Sequence, residues 1–280
     1  MAILGIVLLL QACEQEDVLP PIYQLNTRTY LHLAHPRAAA NGSIASRLDE
    51  VDYEPFDMLW LGGDLQYGTS QDDATMDYVD ALFDLGSPQT LLALGNHEYA
   101  SLPRITDYTH RPAFYTHHEN GITFVVLDTQ DSLSNIVGAQ REMLNQVLDT
   151  LQHSTHLVIL HHKLIWMPDN PNLEPLIPEV SNIGIANDFN SLNRNNFYPD
   201  FYAKLSAIQL GGTQVLCIGG DMGNHAKHFA YRTSEGIHFL GSGVSHLATE
   251  QENEVIVFTH DLNRKTLTWR FVSVLELLTN

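Results

Sequence analysis

This 280-residue chain is short of cysteine, of positive charge and of long apolar runs, with 2 Cys and only 14 Lys and Arg. Each scarcity excludes something. Two thiols, Cys13 and Cys217, cannot build a zinc-thiolate cluster or a disulfide framework. Cys217 lies within Val215-Leu216-Cys217-Ile218, where a small buried thiol is the plain reading. Against 33 Asp and Glu, the few cations leave a formal charge of −19. Without a basic patch, the electrostatic term that drives binding to a phosphate backbone is missing, which argues against nucleic acid as a stable partner. An acidic surface also repels anionic lipid and anionic solutes at long range, unless a cation such as a metal reverses the local sign. The 15 histidines supply donors for one. Beyond the first ten residues no stretch approaches the roughly 20 apolar residues of a membrane-spanning helix.

What is present begins with a short apolar run, Ala2 to Leu10, followed by Leu10-Gln11-Ala12-Cys13 and the polar Glu14-Gln15-Glu16-Asp17. Nine apolar residues without amphipathic period make a poor surface helix. The pattern resembles the apolar region and lipobox of a bacterial lipoprotein signal. It implies residues 1–13 as the signal segment, Cys13 as the lipidated residue, 14–27 as a tether, and an exported periplasmic or cell-surface lipoprotein that meets the membrane only through its lipid anchor.

Residues 28–280 read as one domain in which short apolar runs alternate with amphipathic segments, as in an α/β protein. Strands are expected at Thr29–Ala34, Met58–Leu61, Thr90–Leu94, Thr123–Leu127, His156–Leu160, Gln214–Ile218 and Ile237–Leu240. A closing hairpin is expected from Val255–Thr259 and Thr266–Val272. Helical spacing appears at Met76, Val79, Leu82 and Phe83, and again at Met143, Leu144, Val147, Leu148 and Leu151. Residues 163–196, rich in Pro and Asn and without period, read as an inserted loop; loops of that length in compact domains are usually functional or disordered.

The strand ends carry the chemistry. Met58-Leu59-Trp60-Leu61 runs into Gly62-Gly63-Asp64, and Leu91-Leu92-Ala93-Leu94 into Gly95-Asn96-His97-Glu98. Leu157-Val158-Ile159-Leu160 ends in His161-His162, and Val215 to Ile218 ends in Gly219-Gly220-Asp221. Carboxyl ends of strands are where α/β sheets bind ligands. Asp64 and Asn96 singly suit turns or caps; together with a strand-terminal histidine they read as ligands. Gly-Asp, then Gly-Asn-His-Glu, then that histidine, from about Thr29 to about Val272, resembles the calcineurin-like metallophosphoesterase family. Phe124 to Thr129, with Gln140 opening the next helix, is similar to the segment that precedes the family's metal-binding histidine.

The resemblance implies a four-layer α/β/β/α sandwich and a phosphoester hydrolase that uses a metal-activated water. Asp64 would be the bridging carboxylate, Asn96 and His161 would belong to the second metal site, and Asp221 would stand where the family has a histidine. His97 would face the leaving group as acid or donor, with Glu98 orienting its ring. Carboxylate, amide oxygen and imidazole suit one or two divalent ions such as Mn, Fe or Zn. Two motifs depart from the family. His35-Pro36-Arg37 replaces Asp-x-His, and Gly220-Asp221-Met222-Gly223 replaces Gly-His-x-His. His35 remains a candidate ligand, and Arg37 is expected to replace one metal's charge and to grip a phosphoryl group. His32 and His225 are nearby nitrogen donors without a place, and His162 reads as a core histidine. The substrate would be a phosphorylated small molecule or an envelope-derived phosphoester. Two other readings stand beside this one: a non-catalytic binding or scaffolding lipoprotein on a degenerate fold, and a glycan- or peptide-binding protein using Trp166, Phe189, Phe197 and Tyr198.

Overall fold

Strands that are apolar on both faces need cover on both faces, and this requirement organises the chain. The computed structural model describes residues 26–39, 43–67, 72–182 and 193–279. The signal segment, Cys13, most of the 14–27 tether, part of the 163–196 insertion and Phe189 lie outside the described residues.

One sheet contains β1 (Thr27–Leu33), β2 (Met58–Leu61), β3 (Thr90–Leu92), β10 (Glu254–Asp261) and β11 (Thr266–Ser273). Its order is β11-β10-β1-β2-β3, with β1, β2 and β3 parallel. The second contains β4 (Tyr115–Glu119), β5 (Ile122–Val126), β6 (His156–His161), β7 (Gln214–Gly219), β8 (His228–Arg232) and β9 (His238–Ser242). Its order is β4-β5-β6-β7-β9-β8, with β5, β6, β7 and β9 parallel. The two sheets face each other across Tyr30, Trp60, Phe124, Val158, Leu216 and Phe258, all buried.

Helices cover the outer faces. α1 (Asp73–Phe83) presents Met76, Val79 and Phe83 to the first sheet, and its first turn is capped by the Asp72 carboxylate, which accepts from the Ala74 N–H at 3.1 Å. α2 (Leu102–Thr109) and α6 (Val274–Thr279) share that layer through Ile105 and Val274. On the second sheet lie α3 (Gly138–Thr150), with Leu144 and Leu148 turned inward, α4 (Ile177–Val180) and α5 (Ala203–Leu210). The result is the α/β/β/α sandwich, held by three apolar layers in which each fully buried large side chain contributes about 1.5–3 kcal/mol.

Two edge strands, β4 and β8, were not expected from the sequence. Both alternate between half-buried and exposed positions and carry histidines, so they lack the apolar run that marks an inner strand. The expectation of a bare loop at 163–196 also needs correction. Glu174–Leu176 forms a short 3-10 turn that continues into α4, and Trp166, Leu173, Ile177 and Val180 pack into the outer core. Trp166 and Phe197 are buried there, so they cannot form the contact surface of a glycan- or peptide-binding protein. Among the described residues no helix is long and apolar enough to cross a membrane.

Candidate metal centre

The carboxyl ends of both sheets' parallel strands meet at one place, because small residues allow it. A Cβ added to Gly220 would collide with the Gly62 carbonyl, and one added to Gly95 would collide with the Asp64 carboxylate. Asp64, which follows β2 after the Gly62-Gly63 turn, is thereby buried beside the turn that follows β3. His35, Arg37 and Asp64 all have left-handed backbone (φ 60°, 53° and 55°), a conformation that non-glycine residues adopt at a cost and that clusters at functional sites.

Glu98 holds the two turns together. Its buried carboxylate accepts the backbone N–H groups of Asp64 (2.9 Å), Leu65 (2.8 Å) and Gly95 (2.7 Å). Burial, and then the charge of Asp64, push its pKa up despite these donors. Glu98 was expected to orient the His97 ring. Instead the His97 Nδ1 pairs with the Tyr67 carbonyl at 2.8 Å, which places the ring proton on Nδ1. The His97 Nε2 then accepts from Arg37 Nη1 at 2.9 Å.

His35, Asp64 and His162 offer ligand atoms that all lie within 4.8 Å of one another. His162, not His161, occupies the position at the end of β6. The side-chain period of two explains the correction: Val158 and Leu160 face the other sheet, so His162 continues their face, whereas His161 follows Leu157 and Ile159 to the opposite side. There the His161 Nδ1 donates to the Lys163 carbonyl at 2.6 Å, and burial drives its pKa down to about 3.

The His162 ring tests whether a metal fits. Its Nδ1 donates to the Gly62 carbonyl at 2.6 Å, which leaves the Nε2 with a lone pair. That nitrogen is fully buried, has no hydrogen-bond partner among the described residues, and lies 3.8 Å from both Asp64 Oδ1 and Asp221 Oδ1. A lone pair facing two carboxylate oxygens in a dry site is a repulsive arrangement that a cation among the three would turn into ligation. Two carboxylates and an imidazole suit a divalent transition ion, so the residues fit the group. Asp221 is held there because the backbone N–H groups of Gly220 and Asp221 both donate to the His162 carbonyl, at 2.9 and 2.8 Å. Asn96 lines the adjoining cavity of about 480 Å³.

The other half of the site is cationic. Arg37 donates from Nη2 to Asp64 Oδ2 (3.1 Å) and from Nε to His35 Nδ1 (3.2 Å), with its guanidinium 5.4 Å above the Tyr67 ring. The His35 Nε2 lies 3.1 Å from Asp64 Oδ2 and 3.9 Å from Asp221 Oδ1. Burial lowers the His35 pKa to about 4, against the opposing pull of Asp64. Burial alone would raise Asp64, but in the metal-free site the charges that His162 and His35 carry when protonated, with the His35 hydrogen bond, hold the carboxyl well below its usual range. Asp221 is also lowered: burial opposes ionisation, and Lys163 with the two histidines overcomes it.

Lys163 was missed in the sequence. It is 3% exposed, its Nζ is 3.6 Å from Asp221 Oδ2, and its backbone N–H donates to Thr129 Oγ1 at 3.0 Å. The expected Asp128–Gln140 relation supports that neighbourhood, since the Gln140 amide bonds both the N–H and the carbonyl of Asp128. His32 is buried between the sheets on Ser242 Oγ (2.9 Å), and His225 is exposed; neither lines the cavity.

No protein-family model and no curated protein matches the chain. Among solved structures, it is similar to a dimetal phosphatase from Danio rerio, with 14% identity, 88% of this chain and 96% of that chain covered, and a TM-score of 0.53. A metallophosphoesterase from Sphaerobacter thermophilus aligns with 12% identity, 88% of each chain covered and a TM-score of 0.36. The first likeness, together with the two sheets and their helical cover, shows the fold: the α/β/β/α sandwich of that dimetal phosphatase.

Proposed function

We propose that the chain is a metal-dependent phosphoester hydrolase. It holds one divalent transition ion (Mn, Fe or Zn) among Asp64, His162 and Asp221, with His35 and Asn96 at its margin. The observation that carries this reading is the buried His162 Nε2, which has no hydrogen-bond partner among the described residues and, unlike the equally unpartnered Nε2 of His161 and His32, faces two carboxylates. The phosphatase likeness from Danio rerio supports it at the level of fold. A bound ion would supply a water that is nucleophilic near neutral pH and would offset charge on the phosphoryl oxygens. Arg37 stands for the charge of a second ion. Among the described residues three of its five N–H groups are engaged, with Asp64, His35 and His97, and the guanidinium lines the cavity, where its remaining N–H groups would meet a phosphoryl oxygen. His97 orients that guanidinium. With its proton on Nδ1 it accepts from Arg37, and burial and then Arg37 oppose a second proton, against the pull of Asp64, so it serves as a positioning residue rather than the acid.

The substrate class in this reading is a phosphorylated small molecule or an envelope-derived phosphoester, met outside the cytoplasm by a protein anchored through lipidated Cys13. A second reading, a non-catalytic scaffold, draws on one observation: Arg37 and Lys163 already pair with Asp64 and Asp221. Turnover of aryl phosphate by protein reconstituted with Mn, Fe or Zn separates the two. The hydrolase reading expects activity that chelator removes, that Asp64→Ala abolishes, and that Arg37→Ala lowers by about 10²-fold or more, the usual loss for a donor to developing charge. Reconstituted protein with no turnover above the Asp64→Ala background would leave the scaffold.

A further inference from the structure

The cavity beside the metal centre contains a second buried cation that the phosphoesterase pattern does not call for. Lys163 and Arg37 line the same 480 Å³ space. Arg37 Nη2 is fixed on Asp64 Oδ2 at 3.1 Å, and Lys163 Nζ is fixed 3.6 Å from Asp221 Oδ2. Each cation is thus pinned by a different carboxylate, and the two carboxylates are those that share the His162 nitrogen.

The geometry points to a two-pronged anion clamp, Arg37 and Lys163, that selects phosphomonoesters over phosphodiesters. This inference rests on the phosphoester reading and adds its substrate class. Charge is what decides. Among the described groups that line the cavity, the two carboxylates and the two fixed cations cancel, so one divalent ion with neutral water, or with its hydroxide displaced by the arriving anion, would leave the site with two positive charges. A phosphomonoester dianion matches that charge, whereas a phosphodiester monoanion leaves one charge uncompensated in a site of low dielectric. Were a second divalent ion bound as well, the excess would be larger still, which is why the clamp goes with one ion. Lys163 is held at the backbone by Thr129 and at the ammonium by Asp221, so little side-chain freedom is lost when an anion arrives. The ammonium acts as a compact point charge and the guanidinium as a planar fork, so the pair grips an oxyanion from two directions without a shared geometry. Asn182 and Asn224 line the same space and add neutral polar groups.

The test is calorimetric titration of the Mn-loaded protein at pH 8 with inorganic phosphate and with dimethyl phosphate, alongside metal content per chain. The expected result is at least tenfold tighter binding of phosphate. In Lys163→Met, phosphate affinity should fall at least tenfold, dimethyl phosphate affinity should stay within threefold, and metal content should hold. Lys163→Arg should restore the preference, which guards against a folding defect in the Met variant. Equal affinity for the two anions, an equal loss of both in Lys163→Met, or loss of metal from that variant would overturn the clamp and leave the hydrolase reading in place. A parent protein that takes up no metal would overturn the hydrolase reading, and the clamp with it.

Discussion

The two nitrogens of His162 face unlike surroundings, the Gly62 carbonyl on one side and two carboxylate oxygens on the other, and the site's chemistry follows from that asymmetry. His97 shows the same economy, because pinning Nδ1 on the Tyr67 carbonyl turns Nε2 toward Arg37 as an acceptor. If His97 orients the guanidinium, His97→Gln should retain a substantial part of kcat, since its amide oxygen can accept from Arg37, while His97→Ala should lose about 10²-fold with metal content unchanged. A general acid would give the opposite pattern, with Gln as impaired as Ala and the alkaline limb of the pH profile lost in both. At this scale the sequence was legible by type and less so by address. Asp64, Asn96 and Asp221 line one cavity beyond the strand ends, and the choice between His161 and His162 depends on which face of β6 meets the other sheet. Two adjacent histidines carry no mark of that face. Lys163 escaped notice because a lone lysine beside a loop reads as solvated, and only the fold turns it toward Asp221.

At the scale of elements, the site is a junction of strand ends rather than a loop constellation. Glu98 ties the turn after β2 to the turn after β3 through three backbone N–H groups. Glu98→Ala would leave three buried donors without that acceptor, at a cost of about 1–3 kcal/mol each. The expected outcome is a lower urea midpoint, reflecting a loss of several kcal/mol of unfolding free energy, together with weakened metal binding; an unchanged midpoint would show that the carboxylate is dispensable to the junction. The inner strands were readable because burial on both faces demands continuous apolar runs, as in β5 and β6. The edge strands β4 and β8 were not, since half-exposed strands that carry His117, His118 and Glu119, or His228 and Arg232, have the composition of a loop. The 163–196 insertion was misread in part for a related reason. Its anchors Leu173, Ile177 and Val180 do fall at helical spacings of four and three, but Pro171, Pro175 and Pro178 interrupt the run and keep the helix to α4's single turn.

Across the whole molecule, an excess of acidic side chains surrounds a core with several buried neutral histidines. Burial lowers the pKa of His32 and His161 to about 3 and of His156 to about 4, well below the ordinary value of 6.5. The unfolded chain therefore binds more protons than the folded one between about pH 6.5 and those values, so stability is full above about pH 6.5 and falls as pH is lowered through this window. Urea midpoints measured from pH 8 to pH 4 should be level at the alkaline end and decline from about pH 6.5; a plateau extending to pH 5 would mean that these rings are not held neutral by burial. The candidate metal centre belongs to the same balance, since Asp64, His162 and Asp221 would bind an ion only when deprotonated. The most direct test of the account is transition-metal content per chain after reconstitution, compared among the parent, His162→Ala and His161→Ala. The account expects about one ion per chain in the parent and in His161→Ala, and none in His162→Ala. No metal in the parent, or equal metal in all three, would contradict it.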